Sequence, residues 1–341
     1  MIGMRRGLTA TLRIMMSVRT RMLRMSSAAF GLAAALSACA GHAASNVSTA
    51  PSPTADAPSV GQRVVASQSG RTIAFSQMAD AAARADVVFI GEQHDDAETH
   101  RAEVALLTAI GERRTNVVLS LEMFERDVQP LVNAYLSGAL SEPDFREQSR
   151  PWPNYGVDYR PLVELAKAKK WPVVASNVPR RLASMVSHRG LTSVDSLVPA
   201  ERALVAAELL CPKDQYYTNF VEIMGGGHGG ASQPSAPSPS PMSMPTMTDL
   251  FYQAQCIKDE TMAESIATAR MKAGSDAIIV HVTGSFHTDF GLGTVARVRR
   301  RSPDVKTIVV SAVPTPAPAS ANAAEFTDRG QFIIFTLRKT P

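Results

Sequence analysis

Asp86-Val87-Val88-Phe89-Ile90-Gly91-Glu92-Gln93-His94-Asp95-Asp96-Ala97-Glu98-Thr99-His100 is the stretch whose reading decides the fold. An apolar run, Val87–Ile90, stops at a glycine, and carboxylates and an imidazole follow at once. Beyond them Ala97, Arg101, Val104, Ala105 and Thr108 recur at the spacing of one helix face. A buried strand, a tight turn and a helix capped by Asp95 or Asp96 account for that order. Glu92 and His94 then stand at the carboxyl end of a strand, the edge at which open α/β sheets hold ligands.

Other parts of the chain repeat the arrangement. Asn116–Leu121 is apolar and ends in Glu122; Trp171–Ser176 ends at Asn177; Asp276–Val282 runs into Gly284-Ser285-Phe286-His287. Lys306–Ser311 and Phe332–Leu337 read as two further strands, and Arg63–Gln68 with Thr72–Phe75 as a hairpin around Ser69-Gly70. Helical spacing fills the intervals, most clearly in Pro161–Lys170, Pro199–Leu210, Gln215–Met224, Met247–Lys272 and Leu292–Arg301. Strands alternating with helices predict an α/β fold, a mostly parallel β-sheet flanked by helices. That domain covers residues 61–341, with a smaller helical subdomain over about 141–260. Within it, residues 225–245 (G-G-G-H-G-G, then Ser and Pro) lack the apolar content to pack and read as a disordered loop, His228 included.

The N-terminal part has a different character. Residues 1–38 carry Arg5, Arg6, Arg13, Arg19, Arg21 and Arg24 and no acid, then an apolar Ala28–Leu36 too short to span a bilayer as an ordinary helix. Basic, apolar and small residues in that order make a secretory signal. Its end, Leu36-Ser37-Ala38-Cys39, resembles the bacterial lipobox, which implies cleavage before Cys39 and lipidation of its thiol; the alternative is a plain signal cut near Ala44. Residues 39–60, rich in Ala, Ser, Thr and Pro, read as a flexible tether. Removing the six arginines turns the formal charge of +4 into a slight acidic excess, so no basic field for nucleic acid remains. The Arg297, Arg299, Arg300, Arg301 cluster reads as a solvated helix end. Cys211 and Cys256 can pair in an oxidising compartment or stay free; spacing does not decide.

Glu92, His94, Glu122 and His287, with Asn177, are thus expected along one sheet edge. Two carboxylates and two imidazoles there suit a divalent metal, or water activation by acid–base catalysis without one. The ordinary alternative is that the carboxylates cap helices or pair with Arg126 and Arg180. His281, inside a strand, reads as an interior histidine, and His100 is not on the same i, i+4 face as His94. No phosphate-binding glycine loop and no H-E-x-x-H occurs.

The ordered set G-E-Q-H-D-D-A-E-T-H (91–100), L-E-M-F-E-R-D (121–127), Y-R-P-L (159–162), A-S-N-V-P-R (175–180), Q-C-I-K-D-E-T-M-A (255–263) and G-S-F-H (284–287) resembles the ChaN family of haem-binding lipoproteins. That family shares a superfamily with Tiki-type metalloproteases and erythromycin-esterase-like enzymes. The resemblance covers roughly residues 80–312. It implies haem as the cofactor, handled for iron uptake or storage by a lipoprotein of the outer membrane facing the periplasm or cell surface. It also implies a haem receptor as partner and haem held at a homodimer interface, with tyrosine and histidine as iron ligands. Tyr155 and Tyr159 are the candidate tyrosines, His94 and His287 the candidate histidines. The insertion at 225–245 and the form of the G-S-F-H ending depart from the family pattern. A hydrolase using Glu92, His94, Glu122 and His287 is the alternative reading of the same edge.

Overall fold

Val and Ile pack well on a pleated surface buried from both sides, and the apolar runs rich in them become the strands of one eight-stranded sheet. The computed structural model describes residues 63–226 and 245–338. The signal-like segment, Cys39, the tether and nearly all of the 225–245 segment lie outside the described residues. In chain order the elements are β1 (Arg63–Ala66), β2 (Arg71–Ile73), α1 (Phe75–Ala82), β3 (Val87–Glu92), α2 (Ala97–Arg113), β4 (Val117–Glu125), α3 (Gln129–Leu136) and α4 (Glu142–Ser149). There follow α5 (Arg160–Lys169), β5 (Val173–Asn177), α6 (Arg180–Arg189), α7 (Pro199–Arg202), α8 (Gln215–Gly226), α9 (Met247–Ala273), β6 (Ile278–Gly284), α10 (Gly293–Arg301), β7 (Thr307–Thr315) and β8 (Phe332–Leu337).

The strand order is β2-β1-β8-β7-β3-β6-β4-β5. From β8 to β5 every neighbour is parallel, while the β1–β2 hairpin joins the β8 edge antiparallel. β6 inserts between β3 and β4, with Glu92 level with Gly284. Alternation along β3 sets the two layers: Val88 and Ile90 pack with Leu106, Leu107 and Leu162 of α2 and α5, whereas Val87 and Phe89 pack with Ala263, Ile266, Val295 and Val298 of α9 and α10. Within the 141–260 stretch β5 belongs to the sheet. Its helices divide accordingly, Phe145 of α4 and Leu162 of α5 on one face, α6 against Ile257 of α9 elsewhere.

Two local expectations change. The helix expected over Pro199–Leu210 stops at Arg202, because the Arg202 guanidinium donates to the carbonyls of Val205, Ala206 and Ala207 at 3.2, 2.8 and 2.9 Å. A side chain thus satisfies backbone acceptors that a longer helix would have used. The arginine cluster is a solvated end only in part: Arg299 and Arg300 are exposed, but Arg297 is buried, lies over the Tyr216 ring at 5.3 Å and pairs with Glu260, which Arg300 and Arg301 also hold. Cys211 and Cys256 are joined in a disulfide across 45 residues, which ties the segment preceding α8 to the middle of α9. Among the described residues no helix is long and apolar enough to cross a membrane.

Candidate functional site

Gly91 lets β3 pass close to the turn that follows β6: a Cβ there would lie 2.4 Å from Thr288 Oγ1 and 3.1 Å from Ser285 Cα. The end of β3 delivers Glu92, buried, to the sheet edge. Its Oε1 meets His94 Nδ1 at 2.6 Å and accepts the hydroxyl of Tyr159. Asp96, not Asp95, caps α2, accepting Thr99 N–H at 2.9 Å; Asp95 pairs outward with Arg338. That cap fixes the first turn of α2, where His100 and Glu103 share a face at i, i+3. His100 Nδ1 lies 3.0 Å from Glu103 Oε2 and 3.5 Å from Glu92 Oε2, and its Nε2 donates to the His94 carbonyl at 3.2 Å.

Burial alone would raise the Glu92 carboxyl, but hydrogen bonds from His94 and Glu103 and the charge of His100 hold it below its ordinary value. Glu103 moves the other way: burial first, then the charge of Glu92, push it well above the carboxylate range. Of these two adjacent carboxyls, burial and mutual repulsion favour a proton on Glu103. His94 is lifted despite burial, by its bond to Glu92 and the charge of Glu122.

A second group forms where β4 and β6 end. Glu122 Oε2 accepts Thr283 Oγ1 at 2.6 Å and the Gly284 N–H at 2.8 Å, while Oε1 faces His287 Nε2 at 3.3 Å. His287 Nδ1 lies 2.8 Å from Asp259 Oδ1 of α9; Asp259 also accepts Thr294 Oγ1 at 2.8 Å and the Tyr216 hydroxyl at 2.7 Å. Burial opposes charge on His287, but Glu122 and Asp259 outweigh it and raise the imidazole to about 10. The same pairing holds Glu122 well below, and Asp259 below, their ordinary values against burial. The result is an imidazolium clamped between two carboxylates.

The two groups meet at Gly284, where a Cβ would sit 2.9 Å from His94 Nε2 and 3.8 Å from Glu122 Oε2. Only a glycine lets the His94 ring lie there. Glu92, His94, Glu122 and His287 stand along one sheet edge as two carboxylate–histidine pairs, and Tyr159, named only as a candidate iron ligand, reaches the same edge through Glu92. Glu122 does not pair with Arg126, which binds Glu264 instead. Asn177 ends β5 with its side chain bonded to Val178 N. Tyr155 is elsewhere: its ring is in the core against Phe145 and Phe124. His281 is the interior histidine expected, bonded to Ser120 and lowered by burial to about 4. Sequence reading missed His100, Glu103, Tyr216, Asp259 and Gln255, whose Nε2 lies 3.1 Å from His287 Nε2. The i, i+3 spacing of His100 and Glu103 and the K-D-E run in α9 were the signals for three of them.

Among the described residues, one set of three metal-type donors lies within 4.8 Å of each other: Glu92, His100 and Glu103. Above it, Trp152 packs edge-on against His94 at 4.6 Å between ring centres and against Tyr159 at 5.5 Å. A cleft of about 430 Å³ opens nearby, lined in part by Gln93, Tyr216, Ser285, Phe286, Phe290 and Arg329.

The family model for haem-binding uptake proteins of the Tiki superfamily, ChaN, matches residues 78–298, which takes in β3, β4, β5 and β6 and both groups. The chain belongs to the ChaN family. A solved structure of ChaN from Campylobacter jejuni, with haem bound cofacially, superposes with a TM-score of 0.57 at 13% identity, over 81% of this chain and 96% of that one. At that identity the likeness establishes the ChaN fold alone. Protein RETICULATA-RELATED 5, chloroplastic, of Arabidopsis thaliana is 23% identical over 239 residues, 66% of this chain; the match spans only 31% of that protein.

One side chain of these groups offers the kind of nitrogen that haem iron takes as an axial ligand. The His94 side chain is 46% exposed, its Nδ1 is committed to Glu92, and its Nε2 takes part in no hydrogen bond among the described residues. A carboxylate on the far nitrogen is the arrangement that orients metal-ligating histidines. His287 is buried with both nitrogens engaged, and the Tyr159 phenol, raised far above its ordinary value by burial and Glu92, is turned inward.

Proposed function

We propose that this chain is a haem-binding protein of iron uptake or storage that holds ferric porphyrin through His94 Nε2. Family membership carries the reading, and the exposed, carboxylate-backed His94 supports it. Bound haem supplies a ferric centre that takes an axial nitrogen or phenolate ligand. Glu92 orients the imidazole, and Trp152 gives its neighbourhood an apolar wall. Cofacial binding, as in the C. jejuni protein, would bring two copies together at this edge. Haemin titrated into the chain is expected to give a Soret band distinct from free haemin, with monomer becoming dimer in sedimentation. A spectrum that equals free haemin at every ratio rejects haem binding; a bound monomer rejects only the shared interface.

The location follows as part of the same proposal: an outer-membrane lipoprotein facing the periplasm or cell surface, passing haem to or from a receptor. The basic-apolar segment ending at Cys39 supports it, as does the Cys211–Cys256 disulfide, which persists in oxidising compartments. Cys39→Ser is expected to move the chain from the membrane to the soluble fraction of the cell. Unchanged membrane retention would remove the lipid anchor from the proposal.

A hydrolase is the second reading, favoured by the 2.6 Å Glu92–His94 contact, which makes His94 a general-base candidate. Any ester or peptide turnover that survives both Glu92→Ala and Glu122→Ala does not come from this edge.

A further inference from the structure

Beneath His94, the side chains of Glu92, His100 and Glu103 are buried and point at one another. His100 Nε2 faces the His94 carbonyl at 3.2 Å, a group that only accepts, so that nitrogen carries a hydrogen. The other nitrogen, Nδ1, faces Glu103 Oε2 at 3.0 Å and Glu92 Oε2 at 3.5 Å. Three electron-pair donors converge this closely only around a shared proton or a cation. Moreover, apart from a proton shared between the two carboxyls, Glu92 Oε2 and Glu103 Oε1 are buried without a hydrogen-bond partner, which native interiors seldom tolerate.

We propose that Glu92, His100 and Glu103 form a binding site for a first-row divalent cation, separate from the haem-facing nitrogen of His94. Metal bonds of about 2.0–2.2 Å in a tetrahedral arrangement place ligand atoms roughly 3.3–3.6 Å apart. The observed 3.5 Å falls within that range and the 3.0 Å a little below it. One imidazole and two carboxylates suit Zn²⁺, Fe²⁺ or Mn²⁺ better than soft Cu(I). Two carboxylates and one divalent ion are together neutral, which limits the cost of burial. The Asp96 cap holds His100 and Glu103 on one face of α2 before any ion arrives. Glu92 serves both levels, Oε1 toward His94 and Tyr159 and Oε2 toward the ion.

The site does not depend on the haem reading, and it is tested on haem-free protein. Chain stripped with a chelator is titrated with Zn²⁺ by calorimetry and with Mn²⁺ by electron paramagnetic resonance. One ion per chain is expected, with binding weakened at least about 100-fold by Glu103→Gln and retained by Glu122→Gln in the other group. Circular dichroism checks that the variants fold; if Glu103→Gln does not, His100→Gln is read in its place. If neither folds, Co²⁺ bound to the unaltered chain must show the absorption of nitrogen and oxygen ligation. The proposal is overturned if the unaltered chain takes up no ion, which would mean that protons alone fill the group. It is equally overturned if uptake survives the folded Glu103 or His100 variant, or if Co²⁺ shows no such spectrum.

Discussion

His287→Ala is expected to destabilise the protein by roughly 3–5 kcal/mol, because it leaves Glu122 and Asp259 buried without the positive charge between them. The loss exceeds what the imidazole's own packing would give, since two carboxylates must then protonate or admit water. The unaltered protein has a matching pH signature. His287 titrates near 10 in the fold against an ordinary 6.5. Below 6.5 it is protonated whether folded or unfolded, and its contribution is complete. As pH rises toward 10 the unfolded chain gives up this proton and the folded chain keeps it, so stability declines and the contribution is gone above 10. At roughly 1.4 kcal/mol per pH unit the span is worth on the order of 4–5 kcal/mol. Glu122 and Asp259, held below their ordinary values of 4.5 and 3.8, act in the opposite sense and lose their contribution in acid. Thermal melts from pH 4 to 10 are the measurement: a maximum between 4.5 and 6.5, and a shallower alkaline decline in His287→Ala. An equal decline in both proteins would show that His287 is not the buried cation.

His94→Ala is expected to weaken haemin binding at least about 100-fold, or roughly 2.7 kcal/mol, with little change in melting temperature. The half-exposed ring contributes little packing, and Glu92 keeps the Tyr159 hydroxyl. The spectrum should return toward free haemin as the axial nitrogen is lost. Tyr159→Phe separates the two candidate ligands. Its hydroxyl points at Glu92, so with His94 as ligand the variant keeps most of its affinity. Loss in Tyr159→Phe and retention in His94→Ala would assign the iron to the phenolate, requiring Tyr159 to turn out of its present place.

Much of this was readable before the fold. β-Branched runs ending in Glu92, Glu122 and the Gly284–His287 turn marked strands and their functional ends, since a strand buried on both faces needs an unbroken apolar run. The six motifs marked the family. What the chain alone did not show was which helices reach the edge. Asp259 lies in a helix whose apolar spacing is weak, and Tyr216 reaches it from the far side of a disulfide. Tyr155 and Tyr159, four residues apart around a turn, point to different places, one into the aromatic core and one to Glu92. Arg202 ended a helix by binding carbonyls further along the chain, a contact no local propensity encodes.

The insertion of β6 between β3 and β4 also dictates an order of assembly. Both sheet neighbours of β3, β6 and β7, come late in the chain, and β4 has only β5 until residue 278 is available. As the polypeptide emerges from the ribosome, the apolar Val87–Ile90 segment has no partner on either edge. Such unpaired strands are the ones most exposed to self-association while folding is incomplete. Glu92 and Glu122 are set along one edge only when β6 arrives between their strands, so a C-terminally truncated product ending before β6 would carry the first five motifs of this family without its site.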